Sequence, residues 1–486
     1  LRSAFVWEGL PSPAQVVWRQ APLSITEVEL DAAAGPAVEQ LRRRYAPQHL
    51  RLDLTKAPLM RYVVAKDPES DRWLLQVTSH HLIEDAASAD PFFMEIDAIL
   101  SGQEDELPAA EPFRNVVAQA RLGISEAEHE RYFREQLGDV DEPSLPFGLT
   151  QVLGDGEGVV EVYRKLPQAL NDRLRGQAQR LGVSLASLCH VAWGQVVART
   201  SGRETVVFGT VLLGRMQAGA GADRAMGLSI NTLPMRLDLD GRGVAAGVRE
   251  PHLRRGGLLH HEQAPLGLAL CCSGGAAGTP LFSVLLNYRH IGAEKAEMPS
   301  LSGAEWLDGE ERTNYPLIMA VEDFEAALGL TVQVVEAVSA DRVIGLMQRA
   351  LESLAEALEA APEMPLRSLD VLPAEERELI VETWNRTEAA AFPSNRFVHD
   401  LFEEQVVRTP DAVALVQGDV KLSYGQLNAQ ASRLAHRLIG LGVKPDDRVG
   451  LCVDRSPEMV IGLLAVLTGG GALEPGPPSS AGEPLG

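Results

Sequence analysis

Short apolar runs rich in Val, Leu and Phe recur through the middle of the chain, at residues 205–213, 232–239, 281–288, 316–321 and 328–335. Buried strands read this way, as near-continuous apolar stretches. Segments of helical period are set among them. Residues 170–181 form one amphipathic stretch, and Ser184 is placed to cap the next, which carries Leu185, Leu188, Val191 and Ala192 on one side. A helix over 341–360 closes the series. Strands and helices mixed in this manner argue for an α/β or α+β chain.

The flanking regions extend the pattern. Strands are expected at 16–18, 60–65 and 73–79 and helices at 37–45 and 127–136, before a Gly/Asp/Pro-spaced connector at 146–160. After a polar linker at 373–394, a new unit is expected: helix 398–408, strand 412–416, helix 424–441, strand 448–453 and helix 457–467. The expected divisions are 1–148, 149–372, a linker at 373–395, and 396–486. Leu1 opens straight into what reads as the inside of a folded unit, and 469–486 is a Gly/Pro/Ser-rich tail. A piece of a longer chain is expected.

Charge and cysteine usage narrow the function classes. Forty-four basic against 67 acidic residues leave a net charge of −23, which argues against a nucleic-acid grip. Four cysteines at irregular spacing form neither a disulfide framework nor a zinc ribbon. No apolar run reaches the roughly 18 to 20 residues of a membrane span, and no signal peptide is visible. A cytoplasmic protein that does not engage membranes is expected.

The sharpest local feature is Ser79-His80-His81-Leu82-Ile83-Glu84-Asp85-Ala86, at the end of the strand expected from Trp73. Strand alternation would turn His81 to the face of Ser79 and Val77 and His80 to the other. One imidazole can then pack inside while the other meets a cleft. Two ordinary histidines at a strand end are the plain alternative. A metal site has the ligand types, but opposed faces and no third partner nearby speak against it.

Together with its surroundings this segment resembles the His-His-x-x-x-Asp-Gly motif of condensation domains of non-ribosomal peptide synthetases, with Ala86 in place of the glycine. Leu1-Arg2-Ser3-Ala4-Phe5, Ala57-Pro58-Leu59-Met60-Arg61, Met226-Gly227-Leu228-Ser229-Ile230-Asn231-Thr232, Leu281-Phe282-Ser283-Val284 and Thr313-Asn314-Tyr315-Pro316-Leu317 resemble further segments of that family in order. Trp384-Asn385-x-Thr387 is similar to its usual linker, and Leu422-Ser423-Tyr424-Gly425-Gln426-Leu427 to the first core motif of adenylation domains.

The resemblance implies two chloramphenicol acetyltransferase-like lobes forming a V-shaped condensation domain, then a truncated adenylation-domain N-terminus that is not expected to adenylate. It implies amide-bond formation between aminoacyl or peptidyl thioesters brought by upstream and downstream peptidyl carrier proteins. No cofactor is held by the domain itself, since the carriers supply phosphopantetheine. His81, His80 and Asp85 form the implied catalytic group, with His81 meeting the acceptor amine and His80 the more structural of the two. Arg61 is expected to pair with Asp85 while Glu84 points to solvent, and Asn231 and Asn314 give structural support. Capping of the following helix is the alternative role for Asp85. The segments 113–121 and 145–149 resemble the subtype that also epimerises its donor. A stand-alone coenzyme A-dependent acyltransferase and an inactive docking module are the competing classes.

One stretch fits poorly. Glu250-Pro251-His252-Leu253-Arg254-Arg255-Gly256-Gly257 falls where a smooth helix is expected, and proline and paired glycines are poor helix interiors. A local reading-frame error or a loop insertion interrupting the helix is expected there.

Overall fold

The computed structural model describes residues 1–476 apart from 47–49, 153, 155, 157, 217–223, 276–278, 292–302, 308, 310, 312 and 387–394. Asp155 of the connector, Thr387 of the linker motif and the end of the tail therefore lie outside the described residues. The chain divides into two compact units, Leu1–Leu379 and Ile380–Gly486.

The first unit opens with an antiparallel pair, β1 (Ser3–Val6) and β2 (Ala14–Val17). A three-stranded sheet follows, with β4 (Met60–Lys66) between β3 (Ile25–Val28) and β5 (Trp73–Ser79). β4 runs parallel to β3 and antiparallel to β5. Helix α1 (Ala37–Arg44) lays Leu41 on Val63 and Ala65 of β4. Three helices come next: α2 (Ala86–Leu100), α3 (Phe113–Leu122) and α4 (Glu126–Leu137).

The main core lies around a larger sheet. After β6 (Val159–Lys165) the chain forms α5 (Gln168–Leu181), α6 (Leu185–Ser201), β7 (Thr205–Leu212), β8 (Asn231–Asp238), α7 (Val244–His260), α8 (Leu266–Cys271) and β9 (Val284–His290). Then come β10 (Leu317–Asp323), β11 (Leu328–Val335) and α9 (Ala340–Ala360). The six strands pair in the order β6-β11-β10-β9-β7-β8, with β9 parallel to both of its neighbours and the other pairs antiparallel. Helix α6 is buried from Leu185 to Ala198, its polar Ser187, His190 and Gln195 being hydrogen-bonded there. Trp193 of this helix and Phe208 of β7 are among the largest fully buried side chains of the core. The cap of α6 is Ser184, whose side chain accepts from Ser187 N–H. No single helix among the described residues is long and apolar enough to cross a membrane.

The expected interruption at 250–257 does not occur. Helix α7 runs unbroken through Pro251, which is buried. Tertiary contacts override the poor propensity. Ser187 Oγ lies 2.9 Å from His252 Nδ1, and Arg254 pairs with Asp238 at 2.8 Å. At Gly247 a Cβ would come within 2.8 Å of Leu366, so glycine permits the close approach.

Part of the polar segment after residue 373 is helical. It begins with a short helix, α10 (Ala374–Glu378), and stays helical through Leu379–Thr383.

The second unit holds α11 (Val398–Arg408), the hairpin β12 (Val413–Gln417) and β13 (Val420–Ser423), and α12 (Tyr424–Gly440). It continues with β14 (Arg448–Cys452), α13 (Pro457–Thr468) and β15 (Ala472–Gly476), the last strand lying parallel to β14. Ser423 and Gln426 form a reciprocal capping box at the start of α12.

Candidate active site

β5 ends at Ser79, so strand alternation does not reach the two histidines. A tight turn separates them instead, closed by Ile83 N–H donating to His80 O at 3.1 Å. His80 is half-buried. Its N–H donates to Leu59 O at 3.0 Å and its Nδ1 accepts from Leu82 N–H at 3.1 Å. That acceptor role needs a neutral ring, and burial followed by the neighbouring His81 pushes the His80 pKa down.

His81 is exposed. Its Nδ1 is 2.6 Å from Glu84 O, so Nδ1–H donates there and Nε2 is turned outward. Glu311, in the loop before β10, brings Oε1 to 3.6 Å from that Nε2. Its carboxylate, with help from the Glu84 carbonyl and against burial, pushes His81 up to about 9. Glu311 is held below its usual range by the same contact.

Asp85 departs from the expected pairing. Among the described residues its ion-pair partner is Arg215, at 2.8 Å from Nη2, and both side chains are buried. Asp85 Oδ2 also accepts from Ser229 N–H at 2.8 Å, and Oδ1 accepts from Ser88 N–H at 3.0 Å, capping α2. The cap and an ion pair therefore coexist. Arg61 lies within β4 opposite Thr78, while the turn carries Asp85 off the sheet toward β7 and β8. Glu84 does not point to solvent either. It is half-buried and accepts from Ser79 Oγ.

Ala86 is the first residue of α2, with Asp85 as N-cap. No left-handed backbone is needed there, so alanine costs the loop nothing.

Asn231 opens β8 and pins the turn after α7, donating to Glu262 O at 2.9 Å and Ala264 O at 2.7 Å. Asn314 ties the loop before β10 to Val152 O at 2.8 Å. Neither lies in the Asp85 cluster. Arg215 and Glu311 were missed in the sequence. An arginine following Gly214 at the end of an apolar strand was a signal for the first. Glu311 sits in an acidic, irregular stretch and gave none.

An imidazole on a loop fixed by a buried ion pair, in a unit built on a six-stranded mixed sheet, is the candidate site. The condensation-domain profile matches residues 1–381, and that of AMP-binding enzymes matches 402–484. The chain thus belongs to the condensation domains of non-ribosomal peptide synthetases and continues into the start of an AMP-binding domain. Domains of this family form amide bonds and work with phosphopantetheine-bound thioesters on carrier proteins.

Malpinin synthetase of Mortierella alpina is 52% identical over 100% of the chain, and bacitracin synthase 3 of Bacillus licheniformis is 28% identical over 98%. The chain spans 6% of the length of the first of these relatives and 8% of the second. Among solved structures, a four-domain nonribosomal peptide synthetase bound to AMP and glycine aligns over 100% of this chain and 38% of its own, with TM-score 0.75 and 17% identity. The first condensation domain of the CDA synthetase aligns over 76% of this chain and 86% of its own, with TM-score 0.56 and 20% identity.

Proposed function

We propose that the first unit joins two carrier-bound aminoacyl or peptidyl groups, and that His81 meets the acceptor amine. The observation that supports this most is the orientation of His81. Glu84 O fixes the Nδ1–H tautomer and leaves Nε2 as the outward edge. The acceptor nitrogen attacks the donor thioester carbonyl, a C–N bond forms, the C–S bond breaks, and the amine proton passes by way of Nε2 to the leaving thiolate. The work asked of the site is orientation and management of that one proton. His80 holds the turn, and Asp85 with Arg215 holds the start of α2. The whole synthetase's product lies beyond this unit.

The test offers the chain one acceptor, glycine loaded on a carrier protein, and two acyl donors. Amide is expected with an aminoacyl donor on a carrier protein. Transfer only from the coenzyme A thioester would make the chain a stand-alone acyltransferase, and no product with either donor would leave a docking module.

A further inference from the structure

We propose that Glu311 is a positioning residue of this site: its carboxylate engages Nε2 of His81, opposite the Glu84 carbonyl on Nδ1, and so governs when the imidazole is free to take a proton. The inference rests on the function proposed above, because Nε2 is the edge the acceptor amine must reach.

The geometry behind it has three parts. Both ring nitrogens of His81 are engaged, Nδ1 by Glu84 O at 2.6 Å and Nε2 by Glu311 Oε1 at 3.6 Å. Glu311 and Asn314 each make a contact that holds them. Gln333 of β11 donates to Glu311 O at 3.3 Å, and Asn314 donates to Val152 O at 2.8 Å. Glu305 pairs with Arg72, in the turn between β4 and β5, at 2.8 Å. Glu311 is therefore held by a backbone contact of its own, with residues 305 and 314 also making contacts.

Among the described residues, the neighbouring charged and titratable groups named next have contacts of their own. Arg289, which acts on Glu311, is paired with Glu322 at 2.6 Å. Glu84 accepts from Ser79, Asp85 is paired with Arg215, and His80 is kept neutral by burial. That leaves the Glu311 carboxylate as the largest influence on His81, which it raises to about 9. An imidazole held this way is charged at neutral pH and has no lone pair to offer. A base at this position acts only when Glu311 has moved off Nε2 or the pH has risen.

The experiment follows each histidine Cε1–H by NMR through a pH titration of the whole chain, His81 being assigned from its loss in His81→Ala. Amide formation between two loaded carrier proteins is measured over the same pH range. The titration midpoint of His81 is expected well above that of an ordinary histidine, and Glu311→Gln should lower it by about one pH unit or more. The acid limb of the rate profile should move down with it, giving a faster variant at neutral pH. Glu311→Asp should leave the midpoint between the two. An unchanged midpoint in Glu311→Gln overturns the inference, whatever the rates do. A shifted midpoint in a chain that makes no amide keeps the Glu311 contact and overturns the proposed function instead.

Discussion

Asp85 and Arg215 stand 130 positions apart in the sequence and 2.8 Å apart in the folded chain. Their pair ties the turn that carries His81 to the ends of β7 and β8. Removing one member of a buried ion pair strands the other charge, which costs about 3 to 5 kcal/mol. Asp85→Ala is expected to lower the stability of the larger unit by that amount in urea titrations. Because Ser229 and Ser88 also donate to the carboxylate, Asp85→Asn should recover only part of it. The double variant Asp85→Ala with Arg215→Met should cost clearly less than the sum of the two single changes. Strict additivity would mean that the two side chains do not act as a pair.

Gly214 permits that arrangement. Its φ is +68°, and a Cβ there would fall 1.8 Å from Ser229 O. Gly214→Ala therefore combines left-handed strain with a backbone clash, next to the residue whose N–H binds Asp85. Gly9, with φ +70° and open space around it, separates the two effects. Gly9→Ala should cost about 1 kcal/mol, and Gly214→Ala distinctly more. Equal losses in thermal or urea unfolding would show that the strand ends give way freely.

Acid should weaken the fold through its buried histidines. His190 lies between Ala186 O at 2.6 Å and Thr210 Oγ1 at 2.8 Å. Burial, and then the charge of Arg255, push its pKa down to about 3. His261 shares a 2.9 Å Nδ1–Nδ1 contact with His129, in which one ring donates and the other accepts. Burial, and then His129, push it down to about 4. Both folded values lie below the unfolded value near 6.5, so the unfolded chain binds more protons as the pH falls. The stability from keeping these rings neutral is fully present above about pH 6.5 and is lost toward pH 4, at up to about 1.4 kcal/mol per pH unit per site. His190→Gln should flatten that slope between pH 6.5 and 4 in urea titrations, and an unaltered slope would assign the acid sensitivity elsewhere.

The sequence carried the elements well because its signals were local. The apolar runs later seen as β7 to β11 and the Ser184 cap depend on neighbours a few positions away, and they appear within a few residues of their expected bounds. What it did not carry was tertiary. Arg61 looked like the partner of Asp85 because β4 pairs with β5, but the turn at His80 to Ile83 redirects the carboxylate to a strand end far along the chain. Pro251 looked like a break because propensity is counted on an isolated helix, whereas α7 is held by Asp238, Ser187 and its contact with Leu366. The approach of Glu311 to His81 spans most of the unit, and no spacing rule encodes it.

The division of labour between the two adjacent histidines is the centre of the account. It is tested most directly by single-turnover transfer of a labelled aminoacyl group from one carrier protein to an acceptor loaded on another. The chain, His81→Ala and His80→Ala would be compared side by side, with circular dichroism confirming that each is folded. Loss of a positioned acid–base group costs about 10²- to 10⁴-fold, and that loss is expected for His81→Ala. His80→Ala gives up its turn contacts with Leu82 and should keep most of the transfer rate at reduced stability. A folded His81→Ala that transfers as fast as the parent, or a His80→Ala that alone abolishes transfer, would contradict the assignment.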